Sequence, residues 1–513
     1  MSEDIQDTRA AAEPTVAPNR FRLTYAGILL VMLLSSLDQT IVSTALPTIV
    51  GDLHGIDQMS WVTTAYILAV TIVMPVYGRL GDLIGRKSVF AGAIAIFLVG
   101  SVVAAAAPNM AVLIAGRVVQ GAGGGGLMIT AQAIVADLVP PRKRATYLAP
   151  VGALFGISTV AGPLLGGWFT DGIGWRWCFW INVPGCLLAL AVCVFALELP
   201  RRSGRVRVDY SGIVLMAIAV VCTVLVADWG GTAHPWSSAL ILGLIAGAVA
   251  GWIAFLWSQS RAVEPIVPLR LFTNRIFDIA TLIGMICVGV GTFAAISYSP
   301  TYMQMVYGYS ASRSGLLMLP MVAGIFGASS LSATLMSRTG RYKPFPILGS
   351  AFVLIASLLF ASLRTTTPIS VFCLYLLVLG VGAGLLFQTL VLAVQNAFGY
   401  SLVGTATAAN SFFREIGATI GVAAVGAAFT SRVVEHLGHR LSVGDRSLVG
   451  PIEAVTPALV HGLPARLRRI VIDAYHDALI PIFLYMAPLF VIGLVLAFVL
   501  PDKRLADSNT DDE

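Results

Sequence analysis

Gly78-Arg79-Leu80-Gly81-Asp82-Leu83-Ile84-Gly85-Arg86-Lys87 joins two long apolar runs of the chain, 61–79 and 90–107. Its glycines, Gly78, Gly81 and Gly85, permit a tight turn and close approach of helices. Asp82 is placed to accept hydrogen bonds from a helix N-terminus, or to pair with Arg86 or Lys87 across a membrane rim. Charges ordinarily found at the inner leaflet would account for the basic residues. They would not account for the spacing of the glycines and the aspartate.

Outward from this loop the chain is almost wholly apolar. Of 513 residues, 57% are hydrophobic and 11% charged, with a mean hydropathy of +0.86, against roughly 25% charged in an average soluble domain. This composition predicts an all-α integral membrane protein with no room for a soluble catalytic domain. Runs near the ~20 residues needed to span a bilayer fall at 25–47, 61–79, 90–107, 111–138, 147–169, 176–198, 211–228, 237–258, 277–299, 312–336, 344–363, 369–398, 404–434 and 480–500. Lysine and arginine gather in alternate loops: Arg79, Arg86 and Lys87; Arg142, Lys143 and Arg144; Arg201, Arg202, Arg205 and Arg207; Arg338, Arg341 and Lys343. That alternation explains the formal charge of +6 and predicts that both termini lie in the cytoplasm. It offers no basic face of the kind nucleic acid needs.

The acidic N-terminal tail, with Glu3, Asp4, Asp7 and Glu13 beside Arg9, precedes an apolar run without a small-residue cleavage site, so that run is read as a retained helix. The loop Ser337-Arg338-Thr339-Gly340-Arg341-Tyr342-Lys343 echoes the first loop eight spans later, with Ser337 where the aspartate would stand. Such an echo suggests a duplicated bundle. The expected organisation is a tail at 1–24, a six-helix bundle at 25–200, an inserted hairpin at 201–260, a second six-helix bundle at 261–500 and a tail at 501–513. The one long outer loop, 435–478, has an amphipathic stretch, Leu463 to Leu479, expected either along the interface or as a solvated helix. Six cysteines, Cys178, Cys186, Cys193, Cys222, Cys287 and Cys373, lack metal or redox spacing and read as packing residues. The six histidines map to the outer side and are expected to be solvated, with no metal site.

Asp38, in Leu37-Asp38-Gln39-Thr40-Ile41-Val42-Ser43-Thr44-Ala45-Leu46-Pro47, is an acid inside an apolar run. A carboxylate at a helix centre costs roughly 2.5–3.5 kcal/mol on the lowest scales, so it is expected to face a polar cavity or to be used. It lies ~20 Å along the first span at 1.5 Å per residue. Arg117, early in the fourth span, reaches a similar depth, so the two are expected to be able to meet. Two readings stay open: a proton carrier whose ionisation is set by burial against the arginine, and a fixed ion pair joining two helices. Arg414 and Glu415 form a second charged pair at mid-depth in the thirteenth span, and as helix neighbours they point ~100° apart.

The loop Gly78 to Lys87 resembles the GxLxDxxGRK signature of the major facilitator superfamily, and the fourteen spans resemble its drug:proton antiporter branch. The first span is similar to that branch's LDxTIVNVALP motif, with Ser43-Thr44 in place of Asn-Val. Arg117-Val118-Val119-Gln120-Gly121 resembles RxxQG, and Gly152, Gly156, Gly162, Pro163, Gly166 and Gly167 resemble the glycine pattern of antiporter helix 5. Trp175-Arg176-Trp177-Cys178-Phe179-Trp180-Ile181-Asn182-Val183-Pro184 is similar to WRWxFxINxP.

The resemblance implies two six-helix bundles with an extra two-helix hairpin between them, working as a proton-coupled exporter of hydrophobic, often cationic compounds. It needs no cofactor, only a proton gradient. Asp38, Arg117, Glu415 and Arg414 are the expected proton-coupling residues. Gly78, Gly81, Asp82, Gly85, Arg86, Lys87 and Asp137 would form a gate, and the glycines of the fifth span a seal. Trp61, Tyr298, Gln304, Asn410 and Phe412 are expected, from helix position, to line the substrate cavity. The expected partners are a small-molecule substrate, protons and the bilayer of a bacterial cell membrane, with the protein a monomer. A dedicated exporter of one metabolite, antibiotic or lipid shares every one of these features. An enzyme or receptor would need a clustered nucleophile, a metal set or a signalling domain, and none is visible.

Overall fold

The computed structural model describes residues 18–55, 58–199, 207–231, 234–399, 401–441 and 457–505. The acidic residues of the N-terminal tail, Arg201, Arg202 and Arg205 lie outside them. Among the described residues there is no β-strand, and fourteen helices are long and apolar enough to cross a membrane. In chain order they are α1 (Arg20–Asp52), α2 (Met59–Ile84), α3 (Arg86–Ala105), α4 (Met110–Leu138), α5 (Pro141–Asp171), α6 (Trp177–Ala196), α7 (Tyr210–Trp229), α8 (Ala239–Arg261), α9 (Arg275–Tyr307), α10 (Ser312–Thr339), α11 (Pro344–Ala361), α12 (Ile369–Gln395), α13 (Val403–Arg440) and α14 (Ala465–Val499). We call the side bearing the basic loops the basic face and the other the far face.

Local chemistry sets the helix ends. Asn109, Asp209, Ser238 and Asn274 each accept a backbone N–H in the first turn of α4, α7, α8 and α9, satisfying a donor the helix leaves free. Between α2 and α3 the chain turns at Gly85, whose φ of 96° is open to glycine and strained for other residues.

The first bundle, α1–α6, packs α3 on α4, α2 on α4 and α1 on α5; the second, α9–α14, packs α10 and α11 on α12 and α11 on α14. The bundles meet where α2 touches α13 and α5 touches α10. The hairpin α7–α8 lies across the first of these seams: α7 contacts both α2 and α13, Trp252 of α8 stacks near Phe412 of α13, and Arg79 at the end of α2 pairs with Glu264 beyond α8. Large apolar side chains left exposed, such as Phe195, Ile253 and Val499, belong on the lipid side.

Part of the stretch expected as an outer loop, 435–478, is helical: α13 runs on to Arg440 and α14 starts at Ala465. Leu463 to Leu479 is not a separate helix. It is mostly the first four turns of α14, with Leu467, Val471, Ala474, Tyr475 and Ala478 buried. Its apolar stripe packs on the extension of α13, where Phe429 meets Tyr475 and Arg440 pairs with Asp477 at 2.7 Å. In addition, Gly284–Thr292 inside α9 is π-helical, a distortion the sequence did not announce. Its Gly289 lies against the backbone of α13 from Arg414 to Ala418.

Candidate functional site

Asp38 and Arg117 do meet. Nη1 of Arg117 pairs with Oδ2 of Asp38 and also donates to Gln120 Oε1 (2.6 Å), while Nε donates to the Val62 carbonyl (3.2 Å). Its face covers the Tyr66 ring, 4.2 Å from the centroid. Oδ1 of Asp38 accepts from Gln120 Nε2 at 2.7 Å and from Asn182 Nδ2 at 3.0 Å, and both amides also donate to Ser101 Oγ. Five helices of one bundle therefore contribute to a single network. Gln120 and Asn182 were visible only as letters of motifs, and Ser101 and Tyr66 not at all, because a chain gives no signal of which face of a neighbouring helix turns inward.

Asp38 does not face a watery cavity in this conformation. It is 0% exposed, and both of its carboxylate oxygens accept hydrogen bonds from the protein. The next residue is different. Gln39 is exposed and, with Ser36, Met128, Val151 and Leu154, lines a cavity of about 40 Å³ among α1, α4 and α5 of the first bundle, room for about one water. From there Gln39, Ser43 and Pro47 continue as an exposed stripe along α1 toward the far face.

The basic face is shut. Asp82 accepts from both the backbone N and the Oγ1 of Thr405 at 2.7 Å, which places its charge on the N-terminus of α13. It also takes Arg86 Nη2 at 3.0 Å, and Arg86 in turn pairs with Asp137. Gly78 touches α13 so closely that an added Cβ would come within 2.3 Å of Ala408 Cβ. Lys87 does not pair with Asp82. It donates to the carbonyls of Val194 and Leu197 and so caps α6. In the echo loop, Ser337 offers its carbonyl in place of a carboxylate: Arg142 donates to the carbonyls of Ser337 and Arg338 at 2.8 and 2.9 Å. Gly81 meets only Arg86 Cγ at 3.5 Å, an ordinary contact.

The glycines of α5 serve two different neighbours. Gly152 and Gly156 face α10 of the other bundle, Gly156 against Val322, whereas Gly162 and Gly166 fit onto Thr40, Ile41 and Thr44 of α1. Thr40 Oγ1 donates to the Ser158 carbonyl at 2.7 Å, just before Pro163. Gly167 has open space beside it.

Arg414 is buried and Glu415 partly exposed, 3.9 Å apart from Nη2 to Oε1. The adjacent residues thus reach an ion-pair distance, though not hydrogen-bond contact. The five cavity candidates are not brought together. Trp61 packs edge-on against Trp229 of the hairpin. Phe412 is in the core beside Trp252, and Asn410 is buried, donating to Thr281 Oγ1. Tyr298 turns into α13 and donates to the Val422 carbonyl, while the Gln304 carbonyl accepts from His461. Helix position gave their depth but not their azimuth. Nor are all the histidines solvated, since His476 is hydrogen-bonded to Tyr302 at 2.7 Å. A separate hollow of about 790 Å³, walled by Thr48, Asp52, Trp175 and Trp180, opens at the far ends of α1 and α6, away from the Asp38 network. Among the described residues no cluster of His, Cys, Asp or Glu is arranged for a metal ion.

A family model described as Major Facilitator Superfamily matches residues 28–422. The chain is 40% identical over 502 residues to an uncharacterized MFS-type transporter of Mycobacterium tuberculosis, covering 98% of this chain and 72% of the relative. It is 38% identical over 410 residues to the multidrug transporter protein MdtP of Bacillus subtilis, covering 80% of this chain and 75% of the relative. Among solved structures, the human organic anion transporter MFSD10 superposes with a TM-score of 0.63 over 93% of this chain and 99% of the other, at 15% identity, a likeness of fold alone.

Proposed function

Because the chain belongs to the major facilitator superfamily, we propose that it is a proton-coupled antiporter of the bacterial cell membrane that exports hydrophobic, often cationic compounds by alternating access. The basic face, with both termini, lies in the cytoplasm in this reading, as the alternation of basic loops predicts. The observation that carries the reading is the Asp38 network: an acid and its arginine buried at membrane depth and held in a network to which five helices contribute. Support comes also from relatives named as multidrug transporters.

The donors around Asp38 suit a carboxylate. Adding a proton removes the charge that Arg117 pairs with and turns one acceptor into a donor facing donors, so Gln120 and Asn182 must rearrange. Since those residues sit on α4 and α6, protonation disturbs the packing of α1 in its own bundle. The seam between bundles is closed by different contacts, around Asp82, Gly78 and Arg142. The proton therefore acts on the inside of one bundle while the gate lies between the two, and α5, which touches both α1 and α10, connects them. The proton reaches Asp38 only through a rearrangement that parts it from Arg117.

The test uses the purified full-length chain in proteoliposomes with an imposed pH gradient. Chemically unrelated hydrophobic dyes should each be driven against their gradient, and each should dissipate the proton gradient in return. Transport of dyes that is indifferent to the pH gradient would remove the antiport reading. Movement of a single compound alone would replace polyspecific export by a dedicated exporter.

A further inference from the structure

Arg414 differs from the other buried arginines in what its guanidinium touches. Arg117, through Nε and Nη1, and Arg86, through both Nη atoms, donate to carboxylates, an amide and carbonyls. Arg414 is just as buried, at 3% exposure, yet among the described residues neither Nε nor Nη2 has a hydrogen-bond partner. Its contacts are the Phe387 ring, 4.3 Å away, and the Glu415 carboxylate at 3.9 Å, too far to receive a hydrogen bond.

The identity of the two unsatisfied nitrogens is informative. Nε and Nη2 share one edge of the guanidinium plane, the side-on edge whose two parallel N–H bonds match the two oxygens of a carboxylate. Further unpartnered groups lie close in the chain to this edge. Ser411 Oγ is one turn earlier on α13, and both ends of the Gln388 amide, adjacent to Phe387, are buried without partners. Buried donors of this kind are seldom left unmade, and the cost is larger for a charged group.

The depth and face fit a transported molecule. Arg414 lies ~17 Å along α13 from Val403 at 1.5 Å per residue. Ser411 and Glu415 continue the face of α13 on which Gly404 and Ala408 meet Gly78 of α2, so these two border the seam between bundles, and Arg414, ~100° round the helix from Glu415, reaches the Phe387 ring of α12.

We propose that Arg414 anchors an acidic group on the transported compound, so that the site takes hydrophobic amphiphiles bearing a carboxylate. The inference rests on the exporter reading and extends its substrate class beyond cations. Phe387 supports the apolar body of the ligand beside the guanidinium, and Ser411 and Gln388 add hydrogen bonds.

Equilibrium binding tests it without any gradient, so its outcome is separable from that of the export assay. A fluorescent carboxylate probe and its methyl ester are titrated onto the full-length protein in detergent, each variant first shown to be monodisperse. The parent should prefer the carboxylate by about tenfold or more, the worth of a charged hydrogen bond. Arg414→Gln should bring that ratio close to one, and Arg414→Lys, which keeps the charge but not the fork, should retain part of it. Equal affinity of the parent for both probes, or a preference undiminished in the two variants, would overturn the proposal. A protein that moves dyes in liposomes yet shows no carboxylate preference loses only this inference.

Discussion

At the scale of the residue, the Asp38–Arg117 pair shows why a charge in the membrane must be judged with all its partners. Removing one member leaves the other buried and uncompensated, at a cost of about 3–5 kcal/mol, whereas removing both together is far milder. Asp38→Asn is therefore expected to lower thermal stability as well as to stop proton-driven efflux. Asp38→Asn combined with Arg117→Gln should destabilise by clearly less than the sum of the two single changes. Melting curves of the three variants in detergent measure this, and strict additivity would show that the pair is not coupled. The network also explains why Gln120 and Asn182 stand in their motifs: each offers an amide N–H to the same carboxylate oxygen.

At the scale of the element, helix contacts decide what small residues do. The run Gly123 to Gly126 is no phosphate loop. It lets α4 lie between α2 and α3, with Gly123 against the Phe97 backbone and Gly125 against the Val70 carbonyl. Gly78 does the same across the seam, and Gly78→Val should prop α2 away from α13. Gln132, buried near the basic end of α4, then becomes the reporter. A cysteine introduced there by Gln132→Cys should be labelled by an impermeant thiol reagent from the basic face when Gly78→Val is present and be protected without it. Equal protection in both backgrounds would mean that the α2–α13 contact does not hold that face shut. The π-helical segment of α9 belongs at this scale as well. Its Gly289 fits against the α13 backbone beside Arg414 and Glu415, and π-bulges recur at functional positions.

At the scale of the whole molecule, one face is locked by a few polar contacts between bundles. Asp82 takes two hydrogen bonds from Thr405, and Arg142 gives two to the end of α10. A charged hydrogen bond is worth about 1.5–3 kcal/mol, so Asp82→Asn should move the balance toward an open basic face by roughly tenfold to a hundredfold. Spin-label distances between the basic ends of α2 and α13 should then gain a longer population. A distribution identical to the parent's would show that the latch lies elsewhere. The hairpin α7–α8 spans the same seam through Trp61–Trp229, Trp252–Phe412 and Arg79–Glu264. It therefore covers the α2–α13 side on the lipid face and leaves the α5–α10 side without a comparable strap.

Apolar length and the spacing of glycine, proline and charge were enough, read from the chain alone, to determine fourteen spans and the family, because a bilayer demands runs of fixed length and motif residues sit at helix ends and crossings. The sequence also singled out Asp38, Arg117 and the Gly78 to Lys87 loop, since charge inside an apolar run has no inexpensive place. Only the tertiary structure decided who meets whom. The azimuth of Trp61, Asn410 and Phe412, the closure of Asp38 by Gln120, Asn182 and Ser101, the π segment of α9 and the edge of Arg414 left without a hydrogen bond all depend on how helices rotate against one another. That rotation is set by contacts between residues far apart in the chain, and no local pattern encodes it.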